Sequence, residues 1–311
     1  MEIILLSTTS KHKKDILELP RKKVLKHVSE NYLISSKKYL HQFIEEKNNE
    51  NRLFIVDCEK KQNISLYDEL NSLNININLL DYKPNDLTME AADLALFNYF
   101  FRDISNKSIA IYGTGNIAFK LALRLSERNA NVYLYGRDQK KVQICVEALR
   151  QITFDGNLIH YGTDDTKVDS LVSCVSAHEV IDVKYLQILN KSSLCLDGGI
   201  GNFSKKFIEL SLEKGHEVRR LDVRQSQEIM DGYIKSRMDS EFDSIIGKDI
   251  INDQPVVAGG ILGRNGEIII DNISKPSKVI GIANGIGGVK SESELSDEER
   301  EKIKKVEYHI Q

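Results

Sequence analysis

No two cysteines in this sequence are spaced as CxxC, and none of the four, Cys58, Cys145, Cys174 and Cys195, has a histidine at ligand spacing. A disulfide frame and a zinc site are thereby excluded. Cys58, Cys174 and Cys195 sit in apolar runs and read as small buried hydrophobes. No apolar run reaches the roughly 18–20 residues that span a bilayer, and "EIILL" near the start is too short for a signal peptide. The cytoplasm is the expected compartment. Excess charge is also lacking. The formal net charge is −3, which removes bulk attraction to nucleic acid or to an anionic membrane. One basic stretch, residues 11–27, carries leucines and an isoleucine at helical spacing and reads as the solvated face of a helix rather than an anion-binding arm. There is no internal repeat and no low-complexity segment.

What is present fits two domains and a substantial core, since 311 residues suffice for both. Residues 1–105 alternate strand and helix signals. "EIILL", "RLFIVD" and "NININLL" read as strands. "DILELPRKKVLKHV", "SSKKYLHQFIEE", "LYDELNSL" and "MEAADLALFNYFF" read as helices, the first interrupted near Pro20, with "DYKPNDLT" as a turn-rich connector. From residue 106 to 240 the rhythm is regular. Strand candidates "IAIY", "NVYLY", "NLIHY", "SLVSCV", "SLCLD" and "EVRRLD" have helical patterns between most of them. Strands joined by crossover helices predict a doubly wound parallel sheet with its ligand crevice at the switch point. In residues 241–311, "DQPVVAGGILGRNGEIIIDN" reads as a hairpin around Arg264-Asn265-Gly266. "KVIGIANGIGG" reads as a strand entering a glycine-rich loop. A last helix starts at Ser296, with Glu299 completing a capping box, and this tail is expected to pack across both domains. The expected fold class is therefore α/β: an N-terminal α/β domain, a doubly wound parallel sheet, and a C-terminal hairpin and helix.

One motif carries chemistry. Gly113-Thr114-Gly115-Asn116-Ile117-Ala118 fits G-x-G-x-x-[GA]. It follows an apolar strand and opens an amphipathic helix with Ile117, Ala118, Leu121, Ala122 and Leu125 on one face. Gly113 permits the tight turn, Gly115 leaves room for a pyrophosphate, and Ala118 keeps helix and strand close. The helix N-terminus then offers free N–H groups and partial positive charge to phosphates. The bland alternative is a tight turn in a domain that holds no ligand. An NAD site would place a carboxylate at the end of the second strand. Here Gly136 removes that bulk and charge, and Arg137 supplies a guanidinium suited to a 2′-phosphate, so NADP is the expected cofactor. Asp138 reads as the cap of the next helix, Lys140 and Lys141 add charge, and a solvated loop role for Arg137 stays open.

Residues 87–222 resemble the NADP-binding half of shikimate dehydrogenase, glutamyl-tRNA reductase and methylenetetrahydrofolate dehydrogenase. The resemblance lies in the helix running into the nucleotide-binding strand, "LTMEAADLALFNYFFRDISNKSIAIYGTGNIA". It lies also in the turn Gly136-Arg137-Asp138, the small-residue loop "SCVSAHEVI" and the loop "LDGGIGN". It implies a Rossmann fold, NADP, and a small-molecule substrate. The departures are equally clear. There is no shikimate dehydrogenase catalytic motif, no Tyr-x-x-x-Lys, and no nucleophilic cysteine in the place glutamyl-tRNA reductase needs, so the substrate stays open.

Loops beyond the fourth and fifth strands of a doubly wound sheet face the reactive end of the cofactor. His178 is the candidate proton-transfer residue, because its titration range suits hydride transfer to a carbonyl or imine. A local structural role for it is equally open. Asp197 is the candidate orienting residue, with capping of its own turn as the alternative. Ser176 and Gly199 join the cofactor-binding set, and Gly198, Gly201 and Asn202 lie beside them. Lys37, Lys38, the "NGIGG" loop and the group Arg219, Arg220 and Arg224 are weaker candidates for substrate contact. The reading is an NADP-dependent oxidoreductase acting on a C–O or C–N centre of a small polar metabolite between two domains. No metal, nucleic acid or membrane is expected as a partner, and a homodimer is allowed. The alternatives are an NADP(H)-binding sensor or regulatory module without turnover, and a non-redox enzyme that retains a nucleotide.

Overall fold

A computed structural model of the chain describes residues 2–9, 14–60, 64–238 and 240–310. Residues 11–13, the start of the basic stretch, lie outside the described set. The chain divides into two compact units, 1–234 and 235–311.

The larger unit contains two sheets. The first is built from β1 (Glu2–Ser7), β2 (Ile16–Val24), β3 (His27–Ile34), β4 (Arg52–Asp57) and β5 (Asn78–Tyr82), with α1 (Lys37–Lys47), α2 (Leu66–Asn71) and α3 (Pro84–Tyr99) between and after them. Strand order is β2-β3-β1-β4-β5. All neighbours are parallel except the edge pair β2–β3. The inner strands are continuous apolar runs because both faces are covered. Ile4, Leu6, Phe54 and Val56 pack with Leu40, Phe43 and Ile44 of α1 and Leu66 and Leu70 of α2. On the opposite face Ile3, Leu5, Leu53 and Ile55 meet Met230 and Ile234.

Three expectations need correction here. The helix expected in "DILELPRKKVLKHV" is a β-hairpin, β2–β3, turned at Leu25 and Lys26, both with positive φ. Alternation of exposed and covered positions outcompetes the helical spacing: Lys23 is exposed while Lys22 and Val24 are covered. Pro20 is tolerated because the strand is an edge and the pairing is irregular between Leu19 and Lys22. The strand in "NININLL" starts only at Asn78 and runs to Tyr82. The connector "DYKPNDLT" is the end of that strand and the start of α3, whose first residue, Pro84, loses nothing where no intrahelical N–H bond exists.

The second sheet comprises β6 (Ser108–Tyr112), β7 (Asn131–Tyr135), β8 (Ile159–Tyr161), β9 (Val168–Ser173), β10 (Leu189–Asp197) and β11 (Glu217–Arg220). Its order, β11-β10-β9-β6-β7-β8, is the doubly wound order 3-2-1-4-5-6 read from the other edge, and every pairing is parallel. Helices α4 (Asn116–Glu127), α5 (Gln139–Ile152) and α6 (Lys205–Glu213) are the crossovers, and β9 joins β10 through only a short 3-10 segment, Val183–Ile188. Ala118, Leu121, Ala122 and Leu125 of α4 pack with Ala91, Ala92, Ala95 and Leu96 of α3 beneath Ile109 and Ile111. After β11 a 3-10 turn, Val223–Ser226, leads into α7 (Gln227–Met238), whose Met230 and Ile234 return to the first sheet.

The smaller unit holds β12 (Gly247–Ile251), β13 (Gln254–Ala258), β14 (Ile268–Ile270), β15 (Val279–Ile282) and α8 (Asp297–Ile310). The hairpin expected around Arg264-Asn265-Gly266 is not there: β13 and β14 run parallel. The tight turn is at Asn252-Asp253 between β12 and β13, both residues with positive φ, the conformation Asn and Asp adopt most readily. The strand "KVIGI" and the last helix occur as expected. Ser296 Oγ accepts from Glu299 N–H at 3.2 Å, and Glu299 Oε2 accepts from Ser296 N–H at 3.0 Å.

Among the described residues all four cysteines are free, but only Cys195 is fully buried. Cys58 and Cys174 are half-buried, less enclosed than their apolar runs imply. No helix of the described residues is long and apolar enough to cross a membrane. Among the described residues no group of three or more His, Cys, Asp or Glu side chains is placed to hold a metal ion.

Candidate functional site

The carboxyl ends of β6, β7 and β9 open into a cleft of about 400 Å³. Gly113, Thr114 and Gly115 line one side, Gly136, Arg137, Asp138 and Lys141 another, and Cys174, Val175, Ser176 and Ala177 a third. Gly113 has φ +149°, and a Cβ there would sit 2.9 Å from the Cys174 carbonyl oxygen and 3.3 Å from Ala118 Cβ. The turn therefore needs glycine for both conformation and space. Gly115 differs. A Cβ on it would meet nothing within 4 Å, so the protein leaves open the space in front of this residue.

Gly115 is also the N-cap of α4 and supplies no side-chain cap. The Phe119 N–H already bonds the Gly115 carbonyl at 3.0 Å. The first-turn N–H groups of Asn116, Ile117 and Ala118 have no intrahelical acceptor and no capping side chain. By contrast α1, α2, α5 and α6 each begin with a Ser or Asp that accepts a bond from the first turn. In α5 that residue is Asp138, which accepts from Lys141 N–H at 3.1 Å, the capping role expected for it. Arg137 is exposed and has no ion-pair or hydrogen-bond partner among the described residues. Gly136 lets the turn close: a Cβ there would lie 3.1 Å from Val142 and 3.4 Å from Thr114.

These features fit a dinucleotide. Open space, unpaired N–H groups and the positive end of a twelve-residue helix suit a pyrophosphate. An unpaired guanidinium with Lys141 beside it suits a further phosphate on the ribose.

The other sequence candidates are placed differently. Asp197, at the end of β10, is almost buried. Its carboxylate accepts from the N–H groups of Gly199 at 3.0 Å, Gly201 at 2.7 Å and Asn202 at 3.1 Å. It caps its own loop. Asn202 in turn donates from its amide to the carbonyls of Val175 at 3.0 Å and Ala177 at 2.6 Å, tying this loop to the one after β9. Gly199 is compressed between them, since a Cβ would lie 2.0 Å from the Val175 oxygen. It shapes the wall from behind and does not line the cleft. His178 is exposed, next to the cleft-lining Ala177, with its Nδ1 2.9 Å from where a Gly201 Cβ would be. Burial, aided by the nearby Asp197, pushes the Cys174 thiol up to about 12, which disfavours the reactive thiolate.

Of the weaker candidates, Lys37 pairs with Glu69, Arg219 pairs with Glu217, and Arg224 holds Asp222 at 2.9 Å through Nε.

A second cavity escaped the sequence reading. The carboxyl ends of β1 and β5, at Ser7 and Tyr82, converge with the segment after β11 on a pocket of about 110 Å³. Lys22, Asn31, Thr88 and Gln227 also line it. Their positions spread over some two hundred residues, and no spacing rule links them. Only the position of Ser7 at the end of an apolar strand offers a signal.

Neither a family model nor a curated protein sequence matches this chain. Among solved structures it is similar to L-tryptophan dehydrogenase from Nostoc punctiforme, with TM-score 0.47 and 14% identity over 69% of this chain and 65% of that one. It is also similar to a shikimate dehydrogenase in complex with NADP+, with TM-score 0.47 and 12% identity over 76% of this chain and 96% of that one. The A chain of dipicolinate synthase from Bacillus subtilis aligns with TM-score 0.36 and 11% identity over 66% and 69%. The chain thus spans just under two thirds of that tryptophan dehydrogenase. At such scores and identities the likenesses carry no functional assignment.

Proposed function

We propose that the chain is an NADP-dependent dehydrogenase or reductase of a small polar metabolite. The observation that carries this reading is the open Gly115 corner at the uncapped start of α4, with the unpaired Arg137 across the same cleft. The backbone N–H groups of Asn116, Ile117 and Ala118 would hold the pyrophosphate, and Arg137 with Lys141 would hold the 2′-phosphate. When bound, the nicotinamide cofactor supplies hydride chemistry. The protein's own part is to orient, exclude water and move a proton. His178, beside the cleft wall, is the residue to hold that proton. Asp197 fixes the loop against which His178 stands, and Asn202 holds the carbonyls of the preceding loop. The substrate would enter where the carboxyl ends of the two sheets converge.

Paired titration of NADPH and NADH against wild type and Arg137→Ala tests the cofactor. A charged hydrogen bond contributes about 1.5–3 kcal/mol, so NADPH should weaken roughly ten- to a hundred-and-fifty-fold in the variant and NADH hardly at all. Equal losses, or a wild type that prefers NADH, would sink the assignment. A metabolite screen that follows NADPH absorbance tests turnover. A second reading, nucleotide binding without turnover, is favoured by one observation: every described bond to the Asp197 carboxylate comes from its own loop or from Ser173. Tight NADPH binding with no oxidation across the screen would establish it.

A further inference from the structure

The pocket at the carboxyl end of the first sheet has a lysine in its wall. Lys22 lines this pocket from the edge strand β2. Among the described residues its ammonium has no ion-pair or hydrogen-bond partner. The opposite charge that acts on it is Asp222, whose two carboxylate oxygens are already taken by Arg224 Nε at 2.9 Å each. Burial pushes the Lys22 ammonium below the usual lysine range, and Asp222 only partly offsets this. An unpaired ammonium withdrawn from water costs free energy that a ligand's negative charge recovers.

The surroundings define what that ligand is. Ser7, Asn31, Thr88 and Gln227 add neutral polar groups, and the buried Asn31 side chain makes, among the described residues, one long hydrogen bond, 3.5 Å to the Pro20 carbonyl. Leu5, Leu19, Leu87 and Met230 give the remaining wall an apolar character. Arg224 also lines the pocket, but Asp222 pairs it, so the one cation left over among the described residues, Lys22, matches a single negative charge rather than a phosphate dianion. A cavity of about 110 Å³ holds roughly four waters' worth of volume, enough for a carboxylate and a short chain.

We propose that this pocket binds the carboxylate of a small aliphatic acid through Lys22, with the acid's apolar chain against Leu87 and Met230. The proposal deepens the dehydrogenase reading by naming a substrate class, and rests on that reading only for the acid being substrate rather than effector.

The chain has four methionines, Met1, Met89, Met230 and Met238; among the described residues Met230 is the one that lines the pocket. Methyl-13C-methionine labelling of the full chain therefore places a reporter in the site, assigned by Met230→Leu. Titration with butyrate should shift the Met230 methyl signal saturably and leave Met1 and Met238 in place. Butyramide, the same shape without charge, should bind at least tenfold more weakly. Lys22→Gln should weaken butyrate at least tenfold. Equal responses to acid and amide, an unchanged butyrate affinity in Lys22→Gln, or no shift of Met230 at tens of millimolar butyrate would each overturn the proposal. If Lys22→Gln fails to fold, the acid–amide contrast on wild type decides alone. None of these readouts needs a nucleotide. Butyrate binding together with absent NADPH affinity would overturn the dehydrogenase reading and leave this one standing, and the converse result would do the reverse.

Discussion

The two sheets of the larger unit end in opposite kinds of chemistry. The second sheet presents backbone: Gly113 and Gly115 after β6, Gly136 after β7, and a glycine-rich loop after β10 held by Asp197. The first presents side chains: Ser7 after β1 and Tyr82 at the end of β5, with Lys22 and Asn31 on the adjoining hairpin. On the proposed function, the difference follows from what each end would recognise. A pyrophosphate is met by N–H groups that every residue carries, so what matters is the absence of a side chain. A particular metabolite is met by particular side chains, placed by packing.

Gly115→Val should break this comparison most sharply. The added methyls enter space the protein leaves open, so the fold is retained while the phosphate approach is lost. NADPH affinity should fall by about a thousandfold, roughly 4 kcal/mol. Calorimetry on the folded variant checks this, and an unchanged affinity would mean that the cleft is empty for another reason. His178→Ala comes next. Once a substrate is known, kcat should drop about a hundredfold with NADPH affinity intact, the ordinary contribution of a proton-transfer group. Wild-type turnover would leave His178 a purely local role against Gly201.

Asp197→Ala removes the acceptor of three backbone N–H groups and should cost about 2–4 kcal/mol in chemical denaturation. A loss below about half a kcal/mol would show that the loop holds itself.

The smallest effect is one of pH. His160 on β8 and His216 just before β11 lie in and beside the second sheet, and burial lowers the pKa of each. A histidine whose folded pKa is depressed stabilises fully above its unfolded value near 6.5, and the contribution is lost as pH falls through that value toward the folded pKa. Hydrogen exchange compared at neutral pH and near pH 5.5 should show a modest loss of protection in β8 and β11 with β1 and β4 unchanged. An equal loss in both sheets would remove this distinction between them.

Legibility differed between the sheets for the same reason that their chemistry does. The glycine turn, Arg137 and the cap at Asp138 lie within twenty-six residues of one another, and each acts through its own backbone or its immediate neighbours. Sequence order alone brings them together, because a strand, a tight turn and a helix are local structures. The hairpin β2–β3 reads as a helix in the sequence because its leucines satisfy both periods, and only pairing with β1 through β3 decides between them. The parallel pairing of β13 with β14 displaced an expected hairpin for a similar reason: Asn-Gly permits a tight turn but does not say which strands will meet. For Asp197 the sequence leaves two roles open, orienting a ligand or capping its own turn, and the bonds from Gly199, Gly201 and Asn202 show the second.

The sequence by itself determined the doubly wound rhythm of residues 106–240, the glycine turn, and Gly136 where an NAD site keeps a carboxylate, with Arg137 next to it. These are matters of spacing and of which side chains are missing. Tertiary structure alone decided that Lys22 from an edge strand, Asn31 beside it, Thr88 from α3 and Gln227 from α7 share one pocket. No local rule encodes that meeting. It arises because both faces of the first sheet must be buried, and covering Ile3, Leu5, Leu53 and Ile55 on one of them with Met230 and Ile234 carries the start of α7 back across the chain.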